Sequence, residues 1–437
     1  MDGVKIIMLK QFTKQEKSWM MYDWANSAHT IVVVTILPIF FMTLFDNNAS
    51  AMGWWGSITS AAKLVIALLA PILGTLGDFK GLKKKMFAFF VALGVMACLA
   101  LTGMPFAPKW QLILGLYALS LFAFAGANIF YDGFLTDVTT KDRMDKVSSW
   151  GYGLGYIGGS TIPFVIFLVL QLLIPMNFAM AISFALTGIW WGVFTIPMFK
   201  NVHQQHFIER QPGMVGKSFK RVFQTLAHIR QYKSMFLFLL AYFFYIDGVN
   251  TIIFMSTAYG TSLGIDTTQM MLALLMVQIL AFPFAVLYGN LAKRFGARKM
   301  IGVGIAVYVG ICFMAFGISK TWHFWALAAA VASSQGGIQA LSRSLYGRMI
   351  PDPKRSNEFF GFFEIFGKFS AILGPVLFGA VGVWASKVIQ RNNPDMAQDL
   401  VSKAATPYGV LSVLVIFIIG SVLFYLSSRQ AKKDNAV

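Results

Sequence analysis

The sequence predicts an all-α membrane protein of about twelve transmembrane helices, built as two pseudo-symmetric six-helix bundles. Three observations predict it. Of 437 residues, 57% are hydrophobic and only 12% charged, against about 25% charged in a soluble domain. The apolar residues gather in stretches of the roughly 20 residues that a helix needs to cross a bilayer. These stretches fall into two groups that share short patterns in the same order, the mark of a parallel repeat.

Spans are expected at 19–45, 53–76, 86–104, 110–135, 147–174, 177–198, 235–260, 268–289, 299–317, 322–347, 358–387 and 407–427. Helices are expected because a chain in lipid must satisfy its own backbone groups. The longest polar stretch, Lys200 to Lys233, divides the spans. The expected domains are an N-terminal bundle over 1–198, a cytoplasmic central loop over 199–234 and a C-terminal bundle over 235–437.

The net charge is +18. Lys80, Lys83, Lys84 and Lys85, then Lys141, Arg143 and Lys146, the central loop, and Lys293, Arg294, Arg298 and Lys299 all fall in alternate loops. The opposite loops hold only Lys109, Lys320, Lys387, Arg391 and Lys403. That asymmetry places both termini and the central loop in the cytoplasm and requires an even number of spans. Cations spread over short loops do not make a nucleic-acid face. Trp54-Trp55 and Trp190-Trp191 are expected as interface anchors. Cys98 and Cys312 lie in apolar segments and imply no disulfide or thiol metal site. The polar, basic stretch from Met1 to Lys17 does not read as a cleavable signal. Without a G-x-x-x-x-G-K-[ST] loop, ATP is not the direct driver. Without H-E-x-x-H or a nucleophile elbow, an enzyme is not expected. No cofactor or metal is expected.

The repeat is visible in several places. Gly74 to Lys84 and Gly289 to Lys299 both read G-x-L-x-x-x-x-G-x-[KR]-K. The same offset aligns Lys63 with Gln278. Asp23 to Ser27 and Asp247 to Thr251 both read D-x-x-N-[ST]. The glycine run before Pro163 has a counterpart in Gly374-Pro375. Gly74 to Lys85 resembles the loop signature between helices two and three of the major facilitator superfamily. Trp19-x-x-Tyr22-Asp23-Trp24-Ala25-Asn26-Ser27, Gly336-Gly337-Ile338-Gln339-Ala340-Leu341-Ser342-Arg343-Ser344 and Phe359 to Lys368 resemble its vacuole-effluxer-like branch, also called the unknown major facilitator family. The resemblance implies the major facilitator fold. It also implies transport, since fungal members are associated with amino-acid export from the vacuole. Lys293 stands where the superfamily signature has an acid, and His29 where an aromatic or small residue is expected.

A charge at the bilayer centre costs about 2.5–3.5 kcal/mol on insertion scales, so it persists where it is paired, faces a cavity, or works. The candidate substrate-binding or coupling residues are Asp23, Asn26, Lys63, Asp132, Asp247, Asn250, Gln278, Gln339, Arg343, Glu364 and Lys368. At about 100° per residue, Asp23, Ser27 and Thr30 share one helix face with Asn26 beside them. Segment seven repeats this with Asp247, Asn250 and Thr251. Lys63 is too deep to snorkel and needs a carboxylate or a ligand anion; Asp23, Asp132 and Asp247 are its candidate partners. Arg343 either holds a substrate carboxylate at two points or braces the cytoplasmic gate. Glu364 and Lys368 are spaced to pair along one helix. Gly151, Gly155 and Gly159 are spaced for close helix packing. His29 is expected to pack rather than titrate. Gly74, Asp78 and Gly81 are expected to form a gating turn.

The expectation is a secondary active transporter of a small polar or zwitterionic solute, an amino acid or similar metabolite. It is expected to be proton-coupled, monomeric, and an exporter in a bacterial cytoplasmic membrane. Its partners are the small-molecule substrate, protons or another coupling ion, and membrane lipids, with no nucleic acid. A lipid or amphiphile flippase, or a drug-type exporter on the same fold, is the alternative.

Overall fold

The computed structural model describes residues 11–45, 48–227, 229–262, 264–316, 318, 320–370 and 373–434. The expectations for residues 1–10 and for positions 317, 371 and 372 therefore lie outside the described residues. Within them the chain is helical, and the only β pairing is an isolated bridge between Phe79 and Ile208.

The first span begins as α1 (Lys14–His29). Its start is set by a capping box: Thr13 Oγ1 accepts from the Glu16 amide at 3.1 Å, and the Glu16 carboxylate accepts from the Thr13 amide at 2.8 Å. The span widens into a π-helical turn over Thr30–Ile36 and ends as α2 (Leu37–Met42). There follow α3 (Asn48–Gly77), α4 (Leu82–Leu101), α5 (Trp110–Gly133) and the short α6 (Leu135–Val138). The fifth span is α7 (Met144–Leu154), a second π turn over Gly155–Thr161, and α8 (Ile162–Leu173). The sixth is α9 (Met176–Asn201), and the central loop carries α10 (Met214–Ala227). Then come α11 (Lys233–Ser262), α12 (Thr267–Phe295), α13 (Ala297–Phe316), α14 (Thr321–Met349), α15 (Ser356–Phe369), α16 (Leu373–Asn392) and α17 (Gln398–Asp434).

Among the described residues, 11 helical stretches are long and apolar enough to cross a membrane. The remaining expected span is α14, whose 29 residues are long enough. Its polar residues make it less apolar, and three of them are bonded inside the protein. Ser334 pairs with the Tyr288 hydroxyl at 2.6 Å, Ser342 with the Tyr245 hydroxyl at 2.7 Å, and Ser344 with Asp145 at 2.6 Å. The outward faces of the spans are apolar, with Leu68, Phe89, Leu172, Val376 and Trp384 exposed. In lipid such a surface is the low-energy one. Lys387, Arg391 and Lys403, expected in loops, extend the helices α16 and α17 instead.

Trp190 and Trp191 do not sit at the end of a span. They fall inside α9, and Trp191 is fully buried. The space for it comes from Gly94, where a Cβ would meet the Trp191 ring at 2.3 Å. Trp190 instead stacks on Trp24, 6.0 Å between centroids, and donates to the Trp24 carbonyl at 3.1 Å.

The chain divides into two compact units. One is Met1–Leu226 with Arg343–Ile365; the other is Ala227–Ser342 with Phe366–Val437. The first holds the spans from α1 to α9, the central-loop helix and most of α15. The second holds α11 to α13, most of α14, and α16 and α17.

Candidate functional site

The first unit is organised around Arg343, only 2% exposed. Its Nη2 donates to Asp23 Oδ2 at 2.9 Å and to the Ser148 carbonyl at 3.2 Å. Its Nη1 donates to Asp23 Oδ1 at 3.4 Å and Asp132 Oδ1 at 3.3 Å, and its Nε to Ser148 Oγ at 2.9 Å. A guanidinium has five N–H donors, and all five are directed at acceptors here. Trp19, Tyr131 and Tyr152 present ring faces to it, with centroids 4.6, 5.3 and 4.3 Å away. Trp19 is held by a bond from its Nε1 to the Tyr131 carbonyl at 2.8 Å and by stacking on the Tyr131 ring.

The local sequence permits this approach. A Cβ at Gly151 would lie 2.4 Å from Asp23 Oδ2, and one at Gly155 would lie 2.7 Å from Ser27 Oγ. A Cβ at Gly159 would lie 2.5 Å from the Trp24 carbonyl. The glycine spacing thus serves close packing of the fifth span on the first. The π turn at Gly155–Thr161 lies along this contact; such turns recur at functional sites. Asn26, one turn beyond Asp23, donates to Asn128 Oδ1 at 3.0 Å.

Of the sequence-derived candidates, Asp23, Asn26, Asp132 and Arg343 share this buried polar cluster. Arg343 pairs with both Asp23 and Asp132. A guanidinium reaches two carboxylates at once with directed donors. Lys63 is half-buried on α3. Glu364, half-buried on α15, lies within electrostatic reach of Asp132. Lys368 follows it by one turn on the same helix. Gln339 is half-buried on α14, close in sequence to Arg343.

In the second unit Asp247 is fully buried, and its Oδ2 accepts from the Gly374 amide at 2.7 Å, in the first turn of α16. Thr251 donates to the Asp247 carbonyl at 2.7 Å, as Ser27 does to the Asp23 carbonyl at 2.7 Å. Each hydroxyl also packs on a glycine: Thr251 Oγ1 would lie 1.8 Å from a Cβ at Gly374. The two D-x-x-N-[ST] patterns therefore build the same local packing in each unit. Asp23 meets a guanidinium, and Asp247 meets a helix N-terminus. Asn250 donates to Ser370 Oγ at 3.4 Å. Gln278 lines a mostly apolar cavity of about 90 Å³ with Met255, Tyr259, Phe324 and Gln335.

The loop residues of the first unit form further ionic clusters that sequence reasoning missed. Lys83, fully buried, bonds Asp137 at 2.7 Å, the Gly133 carbonyl at 3.2 Å and Ser356 at 3.2 Å. Asp137 also accepts from the amides of Gln205 and His206 at 3.1 and 2.8 Å. Arg348 pairs with Asp145 at 2.6 Å, and Arg143 with Glu16 at 2.7 Å. The one available signal was the recurrence of aspartate at 132, 137 and 145 beside a helix end.

Asp78 sits in the turn between α3 and α4. It accepts from the Asn357 amide at 2.9 Å and from Arg221 at 3.1 Å, and Arg221 also bonds Glu358 at 2.6 Å. Burial pushes the Asp78 carboxyl up to about 7, against the pull of Arg221 and Lys83; Glu358 pushes it further the same way. Gly74 makes the approach possible, since a Cβ there would lie 2.2 Å from the Asn357 carbonyl. Gly81 closes the turn at φ 71°, a conformation that favours glycine. His29 is buried, stacked on Phe124 at 4.9 Å and packed against Trp191.

Residues 57–382 match the family described as vacuole effluxer Atg22 like. The chain is 45% identical to the uncharacterized MFS-type transporter YxiO of Bacillus subtilis over 98% of both chains. It is 25% identical to Autophagy-related protein 22-1 of Neosartorya fischeri, over 56% of this chain and 45% of that one. In fold it is similar to the human organic anion transporter MFSD10 (TM-score 0.70, 10% identity, 94% of this chain and 99% of that one). A bacterial homologue of the iron transporter ferroportin in the outward-facing state aligns with TM-score 0.68 at 13% identity, over 95% of this chain and 99% of that one. Family, close relative and fold agree with the loop signature and the helix-one string, and the chain belongs to the vacuole effluxer Atg22-like family of major facilitator transporters.

Proposed function

We propose that this transporter carries a small zwitterionic solute of the amino-acid class, coupled to protons, with Asp23, Asp132 and Arg343 at the coupling centre. One observation carries the reading: two buried carboxylates share one guanidinium whose donors are all engaged. With both carboxylates ionised, the cluster holds an excess negative charge in a medium that penalises it. A proton, or the ammonium of a solute, removes that excess. Asp132 is the better proton acceptor, because Arg343 gives it one contact at 3.3 Å while Asp23 receives two, the shorter at 2.9 Å. Glu364, within reach of Asp132, adds to the negative field.

Transport proceeds by alternating access of the N- and C-terminal bundles, with the Gly74–Asp78–Gly81 turn as a cytoplasmic gate. The protein works as a monomer in a bacterial cytoplasmic membrane with both termini inside. The relative from Bacillus supports the location, and the family description supports export. The amino-acid class rests on the mixed charges of the cluster and on the fungal branch of the family. A second reading, an amphiphile or drug-type exporter, is favoured by the largely apolar cavity around Gln278.

The test is uptake of labelled amino acids into proteoliposomes with and without an imposed pH gradient. At least one amino acid is expected to accumulate only with the gradient, and Asp132→Asn to abolish that dependence. Failure of every amino acid while labelled lipids cross refutes the reading.

A further inference from the structure

The central-loop helix α10, Met214–Ala227, has three sides rather than two. At about 100° per residue, Ser218, Val222, Thr225 and Arg221 share one sector of about 100°. The first three are buried and Arg221 is half-buried. Val215, Phe219 and Phe223 occupy the next sector, and they are 58%, 44% and 68% exposed. Lys217 and Lys220 occupy the third and are exposed. The helix carries no acidic residue.

Each sector asks for a different surrounding. The first is satisfied by the protein: Arg221 bonds Asp78 and Glu358, and Thr225 bonds Glu358. Those partners fix the height of the helix, because Asp78 directly follows α3 and Glu358 is in the first turn of α15. The helix is therefore held at the level where spans leave the bilayer, in a loop whose two ends, Asn201 and Lys233, are themselves span ends. The second sector would be costly in water, and two phenylalanines and a valine suit the boundary between headgroups and acyl chains. The third sector places two ammonium groups beside that apolar strip, where they match phosphate. Lys217 is bonded to Gln211 at 2.8 Å, which leaves further donor hydrogens.

We propose that α10 docks on the cytoplasmic leaflet, burying Val215, Phe219 and Phe223 at the acyl boundary and holding anionic lipid headgroups with Lys217 and Lys220. Docking also fixes Arg221, on the opposite side of the helix, between Asp78 and Glu358. The lipid surface thus becomes a partner of the turn after α3. Juxtamembrane cations are attracted to an anionic surface, so two of them give a lipid dependence large enough to read.

The test uses the full chain, with Cys98 and Cys312 replaced by Ala and a spin label at Phe223→Cys or, in a second protein, Phe219→Cys. Each is reconstituted in vesicles of phosphatidylcholine alone or of phosphatidylcholine and phosphatidylglycerol in equal parts. Collision rates with oxygen and with a water-soluble nickel chelate are compared with those of a label at Gln224→Cys. With phosphatidylglycerol, the labels at 219 and 223 are expected to meet oxygen and to be shielded from nickel severalfold relative to 224. Lys217→Glu with Lys220→Glu, or removal of phosphatidylglycerol, is expected to raise their nickel access. Nickel access at 223 equal to that at 224 in both vesicles overturns the proposal. So does shielding from both reagents, which means a protein partner or a second copy, and so does shielding that ignores charge reversal and lipid headgroup.

Discussion

Asp247 accepts a hydrogen bond from the amide of Gly374, 127 residues away, at 2.7 Å. The bond satisfies a donor in the first turn of α16, and the carboxylate sits where the helix dipole is positive. Asp247→Ala is expected to lower stability by about 0.5–2 kcal/mol, the cost of a lost cap. Asp247→Asn keeps an acceptor and is expected to recover most of it. The midpoint of thermal unfolding of the purified protein in detergent reads both. Proton-coupled uptake lost in Asp247→Asn at unchanged midpoint would mean that this carboxylate carries the proton.

Arg343 is a different case, because its removal strands two charges. Arg343→Ala leaves Asp23 and Asp132 without a counterion, and breaking a buried pair in this way costs about 3–5 kcal/mol. Arg343→Lys restores the charge but not the planar fork that reaches Asp23, Asp132 and Ser148 together. The expected order of unfolding midpoints is wild type, then Lys, then Ala. Adding Asp23→Asn to Arg343→Ala should raise the midpoint above that of Arg343→Ala, since one stranded charge is gone. A further drop would show that the cluster is not held by charge.

The spans were legible because lipid imposes a length and a polarity that composition displays directly. Asp23, Asp132 and Arg343 were legible for the same reason, since each is expensive where it stands. Their pairing was not, because Arg343 is 320 residues from Asp23 and sequence spacing carries no information about which cation arrives. Lys83 was read as a loop cation by the same rule that set the orientation, yet it is buried against Asp137. A rule about loops counts charges and does not ask whether one of them turns inward. The π turns at Thr30–Ile36 and Gly155–Thr161 left no hydropathy signal, since one extra residue per turn does not change composition.

Asn357 packs its side-chain amide into a cup formed by Gly77 and Gly133. A Cβ at Gly133 would lie 1.7 Å from Asn357 Oδ1, while both polar atoms of the amide are buried without a hydrogen-bond partner. Only its backbone amide is engaged, by Asp78. Gly133→Ala is therefore expected to lower stability by roughly 1–3 kcal/mol through overpacking. Asn357→Ala removes the clashing atoms and an unsatisfied amide, so the double variant should be more stable than Gly133→Ala alone. Additive losses in the double-mutant cycle would contradict the contact.

Asp78 gives the pH dependence a definite sign. Its carboxyl is raised from 3.8 to about 7 by burial, so the folded state binds its proton more tightly than the unfolded chain does. The stability this group contributes is fully present below the unfolded value and is lost as pH rises toward about 7. Above that pH the group titrates in neither state and the slope disappears. Unfolding midpoints measured from pH 4 to pH 8 should therefore fall across the lower part of the range, after subtraction of the same series for Asp78→Asn. A difference that instead rises with pH would mean that Arg221 and the Asn357 amide outweigh burial, and that the turn is held by an ionised aspartate.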